Sequence, residues 1–155
     1  MNDEPLHILI VEARFYEDIS DELVRGAVGV LEAAGATYER VSVPGAFEIP
    51  AAISMALRSR EFYAGEKRFD GYIALGCVIR GETSHYDYVC QESARGLQAL
   101  AREYALALGY GILTVENRDQ AWERASTGKK NKGADAARAC LRMIGIKRHF
   151  HLYPR

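Results

Sequence analysis

No apolar run in the sequence approaches the roughly 20 residues that a membrane-spanning helix needs. The opening Met1-Asn2-Asp3-Glu4 is unlike the basic start of a signal peptide, so a cytoplasmic protein with no membrane partner is expected. An excess of one charge is missing too. Lys and Arg number 20 against 21 Asp and Glu, a formal net charge of −1. That removes the usual electrostatic drive for gripping a nucleic-acid backbone, and nucleic acid is not expected as a partner. Cysteine is scarce: Cys77, Cys90 and Cys140 are widely spaced, odd in number and form no Cys-x-x-Cys pair. A disulfide framework or zinc site is therefore not indicated, and buried free thiols are the simpler reading. Absent as well are the Gly-x-x-x-x-Gly-Lys-Ser/Thr loop of nucleotide-binding proteins and the Gly-x-Gly-x-x-Gly turn of dinucleotide-binding ones.

What remains is a chain of 155 residues, 48% hydrophobic and 26% charged, the composition of a globular protein. A single domain over 1–155 is expected, large enough to bury about two thirds of its unfolded surface. His7 to Val11 is a short β-branched apolar run, the mark of a strand buried on both faces. Leu23, Ala27, Val30, Leu31 and Ala34 then recur at helical spacing, with Asp18 or Ser20 placed to cap the start and Gly35 to end it. Thr37 to Val43 suits a second strand, and Pro50 a following helix. Tyr72 to Ile79 reads as a third strand, and Val89, Leu97, Leu100 and Tyr104 as a long helix stopped by Gly109. Tyr110 to Val115 supplies a fourth strand. Helices about Asp119 to Ala125 and Ala134 to Ile144 follow, while the last ten residues carry no assignable pattern. Alternation of this kind predicts a three-layer α/β/α sandwich around a four-stranded parallel sheet of order 2-1-3-4.

Open parallel sheets bind ligands beyond the carboxyl ends of their strands, near the point where strand order reverses. Arg80 to His85 sits there, between a buried strand and a helix start, so its backbone amides and the helix dipole suit an anion such as a phosphate. His85 is the best general acid/base in the chain by residue type, although a helix-capping or packing role fits its position equally well. In Val43 to Pro50, Gly45 permits unusual dihedrals. Glu48 there can accept bonds from sugar-like hydroxyls or simply favour the dipole of the next helix. Phe15, in a polar loop, offers a face for a flat heterocycle, or packs in a core or interface. Arg124 and the Lys129-Lys130-Asn131-Lys132 run can meet a phosphate or form a solvated surface. His149 and His151 alternate near the end with no third metal ligand evident, so no metal is expected.

Taken jointly, Val43 to Pro50 and Gly76-Cys77-Val78-Ile79-Arg80-Gly81-Glu82-Thr83-Ser84-His85-Tyr86-Asp87-Tyr88-Val89 resemble the two signature blocks of lumazine synthases, in order and separation. Gly111 to Thr114, Gln120-Ala121, Glu123-Arg124-Ala125 and Asn131-Lys132-Gly133 extend the likeness to about Ile144. The resemblance implies a flavodoxin-like fold, a homopentamer with active sites between subunits, riboflavin synthase as a partner, and no metal or organic cofactor. It also implies a reaction: 5-amino-6-(D-ribitylamino)uracil and 3,4-dihydroxy-2-butanone 4-phosphate condense to 6,7-dimethyl-8-ribityllumazine, phosphate and water.

Carried over by motif, Phe15 stacks on the pyrimidine, and Ala46, Phe47 and Glu48 line the ribityl and ring pocket. Cys77, Val78 and Ile79 contact the uracil edge, and Glu82 and Thr83 neighbour the butanone phosphate. His85 transfers protons, Arg124 binds phosphate, Tyr110 is an aromatic from the adjacent subunit, and Lys132 adds positive charge. Departures include Tyr16, where many relatives have Asn, and Tyr110, where Phe is common. Ser126 to Lys130 departs from the Gly-Thr-Lys-x-Gly of capsid-forming relatives, so a free pentamer is expected rather than a capsid. Two rivals stand beside the enzyme: a non-catalytic lumazine- or riboflavin-binding protein of the same fold, and a receiver-type domain, for which Glu12 is the nearest acidic candidate.

Overall fold

The computed structural model describes residues 4–62 and 69–152. Met1 to Asp3, whose acidity bears on the reading of the chain's start, and the tail beyond Leu152 lie outside them. Four strands, β1 (His7–Ala13), β2 (Thr37–Val43), β3 (Gly71–Ile79) and β4 (Leu108–Val115), form one parallel sheet of order β2-β1-β3-β4. The helices are α1 (Glu17–Ala33), α2 (Ile49–Phe62), α3 (His85–Tyr104), α4 (Arg118–Ala125) and α5 (Lys132–His149), with a 3-10 turn at Ala46–Glu48. This is the expected three-layer sandwich and strand order.

Alternation along the strands divides the core into two layers, because successive side chains leave opposite faces of a pleated sheet. Ile8, Ile10, Ile73, Leu75, Cys77, Leu113 and Val115 pack with Leu23 and Ala27 of α1 and Ala136, Cys140 and Ile144 of α5. Leu9, Val11, Tyr72, Ala74 and Ile112 face the other way, against Ile49 and Ile53 of α2 and Val89 and Leu97 of α3. β1 and β3 are therefore apolar nearly throughout, whereas edge strand β2 is mostly exposed.

Several boundaries differ from expectation. Tyr16 is the N-cap of α1, so Asp18 and Ser20 lie inside the helix. Ser20 instead donates from Oγ to the Ala13 carbonyl at 3.0 Å, and Asp18 pairs with Arg118. Gly35 does close α1: with φ at +71° it lets its own amide reach Glu32 O (3.0 Å) and that of Ala36 reach Leu31 O (2.9 Å). Gly109 does not end α3. Ala105 does, in the left-handed region at φ 51°, with the Leu106 amide returning to Ala101 O. Gly109 belongs to β4, where an added Cβ would overlap the Ala136 carbonyl, so its small size is what lets α5 approach the sheet. α5 begins at Lys132 and runs to His149, absorbing part of the tail that showed no pattern.

Candidate active site

The carboxyl ends of β1, β2 and β3 deliver three loops to one cavity of about 500 Å³, a size suited to a small organic ligand. Behind β1, Phe15 is 74% exposed and stands edge-on to Tyr16, with ring centroids 4.9 Å apart. Behind β2, the 3-10 turn buries Ala46 and leaves Phe47 and Glu48 exposed. Gly45 here is a correction. Its backbone is extended (φ −154°) and asks for no unusual dihedral; the missing Cβ instead leaves room for the Glu48 carboxylate, which it would meet at 3.3 Å. Cys77, Val78 and Ile79 form the floor at the end of β3, and His85, the first residue of α3, stands exposed at the rim.

The expected residues Phe15, Ala46, Phe47, Glu48, Cys77, Val78, Ile79 and His85 all line this cavity, joined by Tyr16, Pro44, Gly45 and Val89. Val89 had been read only as helix packing. It sits one turn after His85, and that i, i+4 spacing is the signal that could have placed it in the wall. No lysine or arginine is among the described residues that line the cavity. Glu82 and Thr83 do not line it either. They are exposed on the loop just before α3, where Thr83 Oγ1 accepts the His85 amide at 3.4 Å.

Tyr110, Arg124 and Lys132 are elsewhere. They border a second cavity of about 430 Å³, formed along edge strand β4 by residues 110–114 with Asp135, Ala136 and Ala139 of α5. Arg124 is half-buried on α4, its guanidinium donating to the Gln120 carbonyl at 3.1 Å, and Lys132 reaches Asp135 at 3.2 Å. Asn117 starts α4 by accepting the Gln120 amide (2.9 Å), and Gln120 in turn accepts that of Glu116 (2.8 Å). This mutual capping fixes the helix that carries Arg124.

Charge around the first cavity is held in pairs. Arg80, which leads the anion-suited loop, donates to Glu116 at 2.8 Å, approaches Asp87 at 3.4 Å and lies 4.3 Å over the Tyr86 ring. The loop is thereby stapled at both ends. Burial pushes the Cys77 thiol up to about 12, so it stays protonated and serves as wall rather than nucleophile. Burial also works to raise the Glu12 pKa, but hydrogen bonds from Arg40 and Arg14 outweigh it and hold the carboxyl below its ordinary value. Only 2% exposed and engaged by two arginines, Glu12 is not presented to solvent as a phosphoacceptor, which counts against the receiver-type reading.

Among the described residues no group of three or more His, Cys, Asp or Glu stands together as a metal site, and no helix is long and apolar enough to cross a membrane. His149 and His151 are exposed, and His149 contacts Phe150.

Comparison with known proteins gives a consistent result. The family model for 6,7-dimethyl-8-ribityllumazine synthase matches residues 5–148. The chain is 58% identical over 144 residues to 6,7-dimethyl-8-ribityllumazine synthase 1 of Rhizobium meliloti, covering 93% of each protein. It is 56% identical over 142 residues to the 6,7-dimethyl-8-ribityllumazine synthase of Agrobacterium fabrum (92% of this chain, 95% of the relative). With that of Bartonella bacilliformis the identity is 55% over 144 residues (93% and 91%).

Proposed function

The chain belongs to the 6,7-dimethyl-8-ribityllumazine synthase family, and we propose that as one domain it catalyses the condensation of 5-amino-6-(D-ribitylamino)uracil with 3,4-dihydroxy-2-butanone 4-phosphate in riboflavin biosynthesis. The observation that carries this reading is the division of labour between the two cavities. One is walled by aromatic and apolar groups with an acid/base at its rim and no cation in its lining; the other carries Arg124 and Lys132.

In this reading Phe15 stacks on the pyrimidine, whose edge meets Cys77, Val78 and Ile79. Ala46 and Phe47 line the ribityl arm, and Glu48 accepts bonds from its hydroxyls. The 5-amino group attacks the ketone of the second substrate, water leaves and an imine forms. Phosphate is then eliminated, and the ribitylamino nitrogen closes the ring on the remaining carbonyl with loss of a second water. His85 takes and returns the protons of these steps. Glu82, Thr83 and the α3 N-terminus receive the phosphate from one side. Arg124, with its forked donors, and Lys132 receive it from the other, supplied with Tyr110 by an adjacent protomer. That geometry requires a closed ring, for which the homopentamer is the fitting assembly. Ser126 to Lys130 supports a free pentamer over a capsid. Riboflavin synthase, which takes up the product, is the proposed partner, and the cytoplasm the proposed compartment.

Much of the rate comes from orientation. Holding two reactants in near-attack geometry lowers a barrier by up to about 7–11 kcal/mol in well-aligned cases. The test is to combine purified protein with both substrates and follow lumazine absorbance and phosphate release together. Both signals should rise in step and well above the spontaneous rate. Ring binding with no phosphate release would overturn the enzyme in favour of a binding protein.

A further inference from the structure

Phe15 is an exposed aromatic on a three-residue loop between β1 and α1, a poor platform for stacking unless something fixes that loop. Its neighbour Arg14 provides the fixing. The Arg14 guanidinium donates to Glu12 Oε1 at 2.9 Å and pairs with Asp21 on α1, so one side chain spans the end of β1, the loop and the helix. Glu12 is itself immobile: it is buried, and Arg40 of β2 donates to both of its oxygens at 2.8 Å. Arg14 is absent from the cavity wall, so it acts on a ligand only through the loop.

We propose that Arg14 is a positioning residue for the pyrimidine substrate, bridging Glu12 and Asp21 so that Phe15 is held at stacking height. This rests on Phe15 being the stacking residue. Arg40 is the internal control. It engages the same buried carboxylate from β2 but takes no part in the loop, and removing either arginine leaves Glu12 one cationic partner, so both variants retain a paired carboxylate.

The experiment compares Arg14→Ala, Arg40→Ala, Phe15→Ala and the double variant Arg14→Ala/Phe15→Ala. Thermal melting and KM for each substrate are measured on the assembled protein. Arg14→Ala should raise the pyrimidine KM about tenfold, the scale expected when a contact is displaced by around an ångström, and move the butanone phosphate KM less than twofold. Arg40→Ala should lower Tm to a similar degree while leaving both KM values within about twofold of the parent. Phe15→Ala should raise the pyrimidine KM, and adding Arg14→Ala to it should change nothing further, since residues acting as one unit are non-additive. Additive effects, or equal KM shifts from Arg14→Ala and Arg40→Ala, overturn the proposal. If Phe15→Ala raises the pyrimidine KM and Arg14→Ala does not, the positioning role alone falls. If Phe15→Ala itself has no effect, the stacking assignment falls and the positioning role with it.

Discussion

A mixed assembly of two inactive variants should recover activity. His85 opens α3 at the rim of the first cavity, whereas Arg124 is on α4 and borders the second, along edge strand β4. If each working site takes His85 from one protomer and Arg124 from its neighbour, the two substitutions complement in trans. In a ring assembled at random from equal amounts of His85→Ala and Arg124→Ala chains, half of the protomers keep His85. Half of their neighbours on the relevant side keep Arg124, so about a quarter of the sites are intact. Co-expressed chains with different affinity tags, purified through both, give the mixed rings, and phosphate release at substrate concentrations near the parent KM reads the result. The expected rate is about a quarter of the parent's, well above either single variant. A rate equal to the mean of the two single variants would refute a shared site and place both residues in one protomer's chemistry.

Glu12→Gln should destabilise the protein by about 3 kcal/mol at pH 7, because a buried ion pair loses its anion while both arginines remain. The folded carboxyl lies below its ordinary 4.5, so its ionic contribution is complete above that pH and lost as pH falls through the lower folded value. The gap between parent and variant in urea melts should therefore shrink below about pH 4.5 and stay flat above it. Ala105→Gly should stabilise by about 1 kcal/mol by relieving a left-handed alanine, while Gly109→Ala should cost about 1–3 kcal/mol by forcing α5 off β4. Opposite signs in thermal melts check the pair. Cys77, with its thiol pushed up to about 12, should resist iodoacetamide at pH 8 in the folded protein and react only after denaturation, as mass spectrometry of the peptides would report.

The sheet was legible in the sequence because β1 and β3 are buried on both faces and so are written as unbroken apolar runs. Helix ends were less so. Asp18 and Ser20 are good capping residues by type, yet Ser20 is drawn to the Ala13 carbonyl and Asp18 to Arg118, and these tertiary partners moved the cap to Tyr16. Gly109 looked like a helix stop because glycine usually is one; the requirement it meets is close packing by Ala136, which lies 27 residues further on and leaves no local trace. In the site, loop position at the strand ends singled out Phe15, Glu48 and His85 by chemistry alone. It could not choose between capping and catalysis for His85, nor between dipole and ligand for Glu48. Resemblance supplied those roles. The ion-pair hub of Glu12, Arg14 and Arg40 was hidden, since its members come from adjacent strands and a loop with nothing in their spacing to join them.

The absence of a cation from the lining of the first cavity links assembly to chemistry. A pyrimidine ring needs a stacking face and hydrogen-bond partners, and Phe15, Glu48 and the β3 end offer these within one chain. Expelling phosphate needs positive charge where the leaving group departs, and a preorganised donor that is missing costs orders of magnitude in rate. Arg80 is already committed to Glu116 and Asp87, so it cannot serve without breaking both pairs. Arg124 and Lys132 are the cations the family resemblance assigns to this work, and they border a different cavity of the same chain. A separated protomer should therefore retain the means to bind the pyrimidine while lacking the means to release phosphate. Affinity for the ring and turnover are expected to part company as the assembly dissociates, and it is the edge of the sheet at β4, rather than the pocket at β1 and β3, that decides whether the chain is a catalyst.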